Sequence, residues 1–372
     1  MIKKITFLMI FVPLLSSSNY VDVLKVPKNF EISIFAENLN SPRQITETSA
    51  GHIVVGSKKG TEVIALIDKD NNGIFEDKIV VANNLQNPAG VSYFKGDLYF
   101  AEMDTIWIIK NIDNWLNLST NSKDLPKKEI YMNDLPSETW HGLKYIDFGP
   151  DDNLYIPVGV PCNICLEPQT KDPRFAAIHK YENGKLITIA DGVRNSVGFD
   201  WHPVTKKLYF SDNGRDWLGD DSPACELNVV NEEGSFYGYP YKHAKNVIDP
   251  EFGDMIPSVG KEFVDPIAEL GAHVAPLGIA FYDGKEFPEK YHNSLFIALH
   301  GSWNRTKKSG YKVIFVKLDS DGNYLYQQDF ITGWLSNETA WGRPAAPFVM
   351  SDGSLLVSDD KHNVIYKVQY KG

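Results

Sequence analysis

Cysteine is scarce in this sequence: three residues in 372, with Cys162 and Cys165 inside PCNIC and a lone Cys225. No histidine follows Cys165, which argues against covalent haem attachment, and no obvious further ligands stand close by to complete a zinc site. The spacing allows Cys162 and Cys165 to pair across a short loop without requiring it. Basic residues are also in deficit, 37 Lys and Arg against 48 Asp and Glu, for a formal net charge of −11. Such a surface repels nucleic acid and anionic lipid headgroups. Beyond the first few residues no apolar run approaches the length of a membrane span, so no stable membrane insertion is expected. Helical patterning is sparse too: no long segment keeps apolar residues at i, i+3, i+4 and i+7 between good caps. What remains is a chain of ordinary apolar content, 43%, with 12% aromatics and with glycine and proline spread along its length. That spread fits many short strands joined by turns.

The first stretch stands apart. Met1-Ile2-Lys3-Lys4 is basic, residues 5–15 are an apolar run, and Ser16-Ser17-Ser18 are small. The pattern predicts a secretory signal peptide over residues 1–18, lost on maturation, and hence a periplasmic or secreted protein. The alternative is an uncleaved N-terminal anchor. Losing Lys3 and Lys4 with the signal makes the net charge more negative still, and an exported protein sits where disulfides persist.

The organising signal is a repeat. A small turn followed by an alternating strand recurs as His52-Ile53-Val54-Val55, Asp97-Leu98-Tyr99-Phe100, Asn153-Leu154-Tyr155-Ile156, Lys207-Leu208-Tyr209-Phe210, Ser294-Leu295-Phe296-Ile297 and Ser354-Leu355-Leu356-Val357. A second alternating strand typically follows each. The spacing is roughly 45 to 60 residues, with one wider gap of about 87, which matches blades of four strands. An all-β, six-bladed propeller is therefore predicted, as a single domain over residues 19–372. Residues 30–35, FEISIF, could supply a strand that closes the ring.

Propellers bind ligands over the central channel, with loops that converge on one face. The polar residues flanking the repeated strands are accordingly the candidates: Arg43-Gln44, Trp140-His141-Gly142, Arg194-Asn195, the 212–221 loop, His273, residues 300–305 and Trp341-Gly342-Arg343-Pro344. The densest stretch is 191–228. It opens on Arg194-Asn195 and ends in a loop rich in carboxylates and turn carbonyls, which suits a hard cation such as Ca²⁺. An arginine at one end and a cation at the other suit a small anionic ligand between them.

Together the motifs WHGLKYIDFGPDDNLYIPVG, PCNIC, GVRNSVGFDWHP, FSDNGRDWLGDD, ELGAHVAPLG, HGSWNR and WGRP resemble the sorbosone/glucose dehydrogenase family, exported six-bladed propellers that use pyrroloquinoline quinone (PQQ). The sorbosone-dehydrogenase-like branch is the nearer one. The resemblance implies oxidation of an aldose, aldehyde or related sugar, with an external electron acceptor. It implies that His141 is the general base that takes the hydroxyl proton as hydride leaves for the quinone. Arg194 and Asn195 would sit by the quinone oxygens, and Arg194 would stabilise charge that develops there on reduction. The backbone carbonyls of Gly214 and Arg215 would hold Ca²⁺ as a Lewis acid, so truncating the Arg215 side chain is expected to spare the metal. Arg343, and less closely Arg305, would meet the cofactor's carboxylates; Lys307 or Lys308 could take the place of Arg305. One departure matters: Trp140 stands where the soluble glucose enzymes carry an acidic residue that contacts sugar, so sugar preference does not transfer.

Independently of the resemblance, Asp68, Asp70 and Asn72 in DKDNNG reproduce the first half of a calcium loop, a possible second metal site whose plainer reading is an Asx-rich hairpin turn. Two other functions use the same fold. A metal-dependent lactonase-like propeller would hold a central cation on Glu, Asp and Asn side chains. A non-catalytic propeller binding a ligand or partner would have no need of His141 together with Arg194 and Arg343.

Overall fold

The computed structural model describes residues 20–69, 75, 77–118 and 124–372; the signal stretch 1–18 and the turn residues Asp70 and Asn72 lie outside them. Six four-stranded units succeed one another around an axis. Blade 1 is Pro42–Glu47, Ile53–Ser57, Val63–Ile67 and Asp77–Ala82; blade 2 is Gly90–Phe94, Asp97–Ala101, Ile106–Ile109 and Glu129–Met132. Blade 3 is Asp147–Phe148, Leu154–Val158, Ala177–Glu182 and Lys185–Asp191, and blade 4 is Phe199–Trp201, Leu208–Asp212, Ala224–Val229 and Ala268–Ala272. Blade 5 is Pro276–Phe281, Leu295–Leu299, Lys312–Leu318 and Tyr324–Ile331. Blade 6 takes Pro344–Val349, Leu355–Asp359 and Val364–Tyr370 from the C-terminal end and borrows Phe30–Ala36, which pairs antiparallel with Val364–Tyr370. The ring is thus closed by the strand anticipated at residues 30–35.

Each strand repeat in the sequence is the second strand of a blade. Those strands prove buried on both faces rather than alternating, as in Ile53–Ser57, Leu154–Val158, Leu295–Leu299 and Leu355–Asp359, where every residue is buried. The reason is architectural: an inner blade strand is covered by a neighbouring blade on each side, so it needs no solvent face. Local turn chemistry completes the hairpins. Asn183-Gly184, both at positive φ, make the two-residue turn between Ala177–Glu182 and Lys185–Asp191, a conformation asparagine tolerates and glycine adopts freely.

Apolar clusters occupy the seams between blades. Val54 and Val63 meet Val91 and Phe100 between blades 1 and 2, and Tyr99 and Ile106 meet Leu154 and Ile156 between blades 2 and 3. Ile178 meets Phe210, Leu227 meets Ile297, and an aromatic group of Phe296, Phe315 and Tyr366 joins blades 5 and 6. Ile53 and Val55 against Leu356 and Ile365 seal the last seam, between blades 6 and 1. The wide gap in the repeat is an insertion, residues 230–267, between the third and fourth strands of blade 4. Its Ser235–Phe236 strand adds in parallel to Lys185–Asp191 and leads the chain up the outside of blade 3. No helix among the described residues is long and apolar enough to cross a membrane.

Candidate active site

In every blade the connection that leads into the first strand and the one that joins the second strand to the third emerge on the same face. That rule brings together the sequence candidates. His141 precedes Asp147–Phe148, Arg194 and Asn195 precede Phe199–Trp201, His273 precedes Pro276–Phe281, and Arg343 precedes Pro344–Val349. From the ends of second strands come Lys58, the 159–165 loop, the 213–221 loop, His300 and Asp360. Asp68 follows a third strand and so lies at the opposite end of the ring, buried.

The two arginine loops are pinned by one repeated device. Asp212, the last residue of its strand, accepts from the backbone N–H groups of Arg194 at 2.8 Å and Asn195 at 2.7 Å. Asp359, in the same position of blade 6, accepts from the Arg343 N–H at 2.8 Å. Asp212 faces Glu226 across the strand pair, and both are buried. Burial raises both carboxyls above the ordinary carboxylate range, and the nearby Asp212 raises Glu226 further.

His141 sits at positive φ, and Gly159 lies against it: a Cβ there would stand 2.7 Å from the His141 Cβ and 2.8 Å from Asn195 Oδ1. His141 Nδ1 donates to the Val160 carbonyl at 2.8 Å, because a carbonyl can only accept. Nε2 is therefore the unprotonated nitrogen. Burial, with Arg194 adding to it, lowers the ring to about 3. The ring is thereby held neutral at all moderate pH. His141 shares a cavity of about 170 Å³ with Arg194, Asn195, Gly214, Asp216 and Trp303. His273 also lines it, with Nε2 donating to the Gly219 carbonyl at 2.8 Å and Nδ1 3.4 Å from Asp216.

Arg343 lines a second, larger cavity of about 710 Å³ with Lys58, Lys308, Tyr311, Asp360 and Lys361. Its guanidinium donates to the carbonyls of His300, at 2.9 Å, and Gly301, and lies 5.5 Å from the centre of the Tyr311 ring. Asp360 is the local counter-charge, accepting from Arg43 at 2.8 Å, His300 at 2.8 Å and Lys58 at 3.2 Å.

Three expectations need correction. Arg305 does not reach either cavity: its guanidinium bonds the Asp221 carboxylate at 2.5 Å and the Asp220 and Lys307 carbonyls, tying the blade 5 loop to the blade 4 loop. Lys308 stands in the wall instead. The Arg215 side chain, expected to be expendable for the metal, is buried in ion pairs with Asp249 at 2.5 Å and Glu251 at 3.0 Å. Gln44 is a staple rather than a ligand group, bonding Ile146 and Val91 across blades 1 to 3. Sequence reasoning also missed Lys58, Asp360 and Asn163. A faint signal existed for Asp360, because SDD ends the last strand repeat as SDN ends the fourth.

Of eight tryptophans, three are more than half exposed, Trp140 at 51%, Trp217 at 65% and Trp303 at 63%. All three stand about this mouth: Trp140 packs edge-on to His141, and Trp217 meets Trp303 edge-to-face at 5.6 Å. Of the three, Trp303 lines the smaller cavity and the other two contact residues of its lining.

Residues 168–371 match a family model described as TrAA12-like. Over 367 residues, 96% of this chain and 93% of the other, the sequence is 38% identical to an uncharacterized protein of Borreliella burgdorferi. Among solved structures, the fold is similar to a Carbohydrate-Active Enzymes Family AA12 protein of Trichoderma reesei, in iodide and calcium structures, with a TM-score of 0.77, 20% identity, and coverage of 93% of this chain and 97% of that one. It is similar to the holo PQQ domain of a pyranose dehydrogenase from Coprinopsis cinerea, with a TM-score of 0.74, 17% identity and the same coverage. A PQQ-bound aldose sugar dehydrogenase of Streptomyces coelicolor gives a TM-score of 0.64 at 17% identity, covering 93% and 99%.

Proposed function

The chain belongs to the TrAA12-like family, and from that premise we propose that it is an exported PQQ-dependent dehydrogenase of the sorbosone/glucose dehydrogenase kind, oxidising a sugar. The observation that carries this reading is the pairing of a neutral His141 with the Arg194 cation in one cavity, beside a second cavity on the same face that is lined by Arg343 and Lys58. PQQ bears three carboxylates, and the donor set fits it: Arg194, Arg343 and Lys58 stand in an otherwise acidic protein. The Gly214 and Arg215 carbonyls fit Ca²⁺, since among the described residues no hydrogen-bond donor meets them, whereas the Asn213 carbonyl is already taken by Arg194 at 3.1 Å. When bound, PQQ with its Ca²⁺ supplies the hydride acceptor.

The protein's own contribution is to orient and to move a proton. His141 Nε2 accepts the substrate hydroxyl proton; an anion beside Arg194 offsets the charge that helps to depress the ring, leaving burial as the opposing cause. Trp140, Trp217 and Trp303 offer flat apolar faces to the C–H side of a sugar ring, while its hydroxyls turn to the polar wall. Among the described residues, the group of three His, Cys, Asp or Glu side chains close enough to share a metal is Cys162, Cys165 and Glu167, and its two cysteines are joined in a disulfide.

Adding PQQ and Ca²⁺ should produce a bound-quinone absorbance spectrum that changes on addition of an aldose. Chelation should abolish binding and Ca²⁺ should restore it. Arg215→Ala should weaken this binding as well, because loss of the Asp249 and Glu251 pairs lets the carbonyl-bearing loop shift. Binding indifferent to chelators would remove the metal from the proposal, and no binding or dye reduction with any aldose or aldehyde would sink the enzyme reading.

Arg343→Ala should weaken PQQ binding by about 1.5 to 3 kcal/mol, the worth of a charge-assisted contact, with turnover largely recovered at saturating cofactor. Arg194→Ala should impair both binding and turnover. Titration of affinity and single-turnover rate on each variant separates the two; equal losses in both quantities for Arg343→Ala would contradict its role.

A further inference from the structure

The loop that follows Leu154–Val158 supplies none of the groups assigned to chemistry above, yet it orients two of them. Val160 accepts from His141 Nδ1, and three residues on Asn163 grips Arg194 twice: its backbone carbonyl accepts from Nε at 2.9 Å and its side-chain Oδ1 accepts from Nη2 at 2.9 Å. The same Oδ1 accepts from the Asp216 N–H at 2.8 Å, while Asn163 Nδ2 donates to the Asp216 carbonyl at 3.2 Å. One side chain therefore locks the arginine to the loop that carries Gly214 and Arg215. Among the described residues every hydrogen-bond acceptor on the Arg194 guanidinium is neutral, counting the Asn213 carbonyl, and the Asp216 carboxylate makes a longer ion pair at 4.0 Å. Neutral acceptors thus orient the guanidinium while its ion pair with Asp216 stays long, which leaves positive charge for an anionic ligand.

Asn163 is flanked by the Cys162–Cys165 disulfide. Tyr239, delivered by the 230–267 insertion, accepts from the Cys165 N–H at 2.9 Å and touches Cys162 Sγ at 3.4 Å. Both cysteines are only partly buried.

We propose that Asn163 is the positioning residue for Arg194 and that the Cys162–Cys165 disulfide braces it, so the site's affinity for an anionic ligand depends on that loop being oxidised. The inference rests on the reading of this site as one for an anionic quinone. A dithiol reductant would pass two electrons and two protons to the disulfide, leaving two thiols here and a disulfide on the reductant. The loop, no longer closed, would let Asn163 and then Arg194 take several orientations.

The test uses the full chain and two readouts. The first is the Arg194 Nε–Hε resonance in NMR spectra without cofactor, assigned by its loss in Arg194→Lys. The second is PQQ affinity in Ca²⁺. Asn163→Ala and dithiol reduction should each shift that resonance, speed its exchange with water, and weaken PQQ binding about ten- to thirtyfold. Asn163→Asp should keep the resonance protected but still weaken PQQ binding, since it orients the guanidinium while cancelling its charge. A purely structural role would not separate these two variants. Unchanged resonance and affinity in folded Asn163→Ala overturns the proposal, and Asn163→Asp binding PQQ at full strength does the same should the alanine variant not fold. If the unaltered protein binds no PQQ, the cofactor reading fails alone, and the Arg194 resonance still decides whether Asn163 and the disulfide hold it.

Discussion

His141→Gln is expected to lower turnover by about 10² to 10⁴ while leaving PQQ affinity close to that of the unaltered protein. Glutamine is close to histidine in size and polarity, but its amide is not basic enough to take a proton. The same residue governs the pH profile. Because burial and Arg194 hold the ring at about 3, His141 stays deprotonated across the acidic range in the free protein. The value of kcat/KM should therefore show no acid limb between about pH 5 and pH 8, whereas an unperturbed imidazole would halve it near about pH 6.5. A limb near neutral pH that vanishes in His141→Gln would mean that the ring is solvated when the substrate arrives. Loss of PQQ affinity and thermal stability together, with no separate loss of turnover, would make His141 a structural residue.

Asp360→Ala should cost about 3 to 5 kcal/mol of stability, the usual result of removing one partner from a buried ion pair. The Asp360 side chain is 2% exposed and bonds Arg43, His300 and Lys58. Burial alone would raise its carboxyl; His300 and Arg43 pull it well below the ordinary carboxylate range. His300 itself is pushed down to about 3 by burial. The two shifts cannot both rest on a charged imidazole. The arrangement that satisfies both is an ionised Asp360 facing the Arg43 and Lys58 charges, with His300 neutral and donating through Nε2. A depressed carboxyl contributes stability that is fully present above its unfolded pKa and is lost as pH falls through the folded one. The gap between wild type and Asp360→Ala should accordingly be constant from about pH 5 to pH 8 and narrow below about pH 4. Asp360→Asn, which keeps hydrogen-bond acceptors without charge, should fall between them. Urea unfolding of the three proteins measures this, and a difference under about 1 kcal/mol would show that water, not Asp360, solvates the cations.

The architecture was legible because its causes are local. A blade strand is a short apolar run bounded by Gly, Asn or Asp turns, and six such runs at a near-constant interval leave a ring as the simplest way to cover both faces of each. The closing strand at Phe30–Ala36 could be suggested because it carries the same alternation as its partner Val364–Tyr370. The loops that carry the site were legible for a related reason: Arg194 and Arg343 recur at one point of the repeat, each ahead of a first strand and each held by the aspartate that ends a second strand. What the sequence by itself determined, then, is the period, the fold and the face on which the candidate residues gather.

Tertiary structure alone decided which side chains work there and in what state. Arg305 and Arg343 look alike in sequence, but Arg305 is captured by Asp221 in the neighbouring loop, while Arg343 is aimed by carbonyls at the channel. Lys58 and Asp360 lie far apart along the chain and meet only because the ring brings blade 1 against blade 6. The neutral state of His141 is likewise a property of its burial beside Arg194. Periodicity is set by neighbours along the chain, whereas ion pairing and desolvation are set by distances across the channel, which no local pattern encodes.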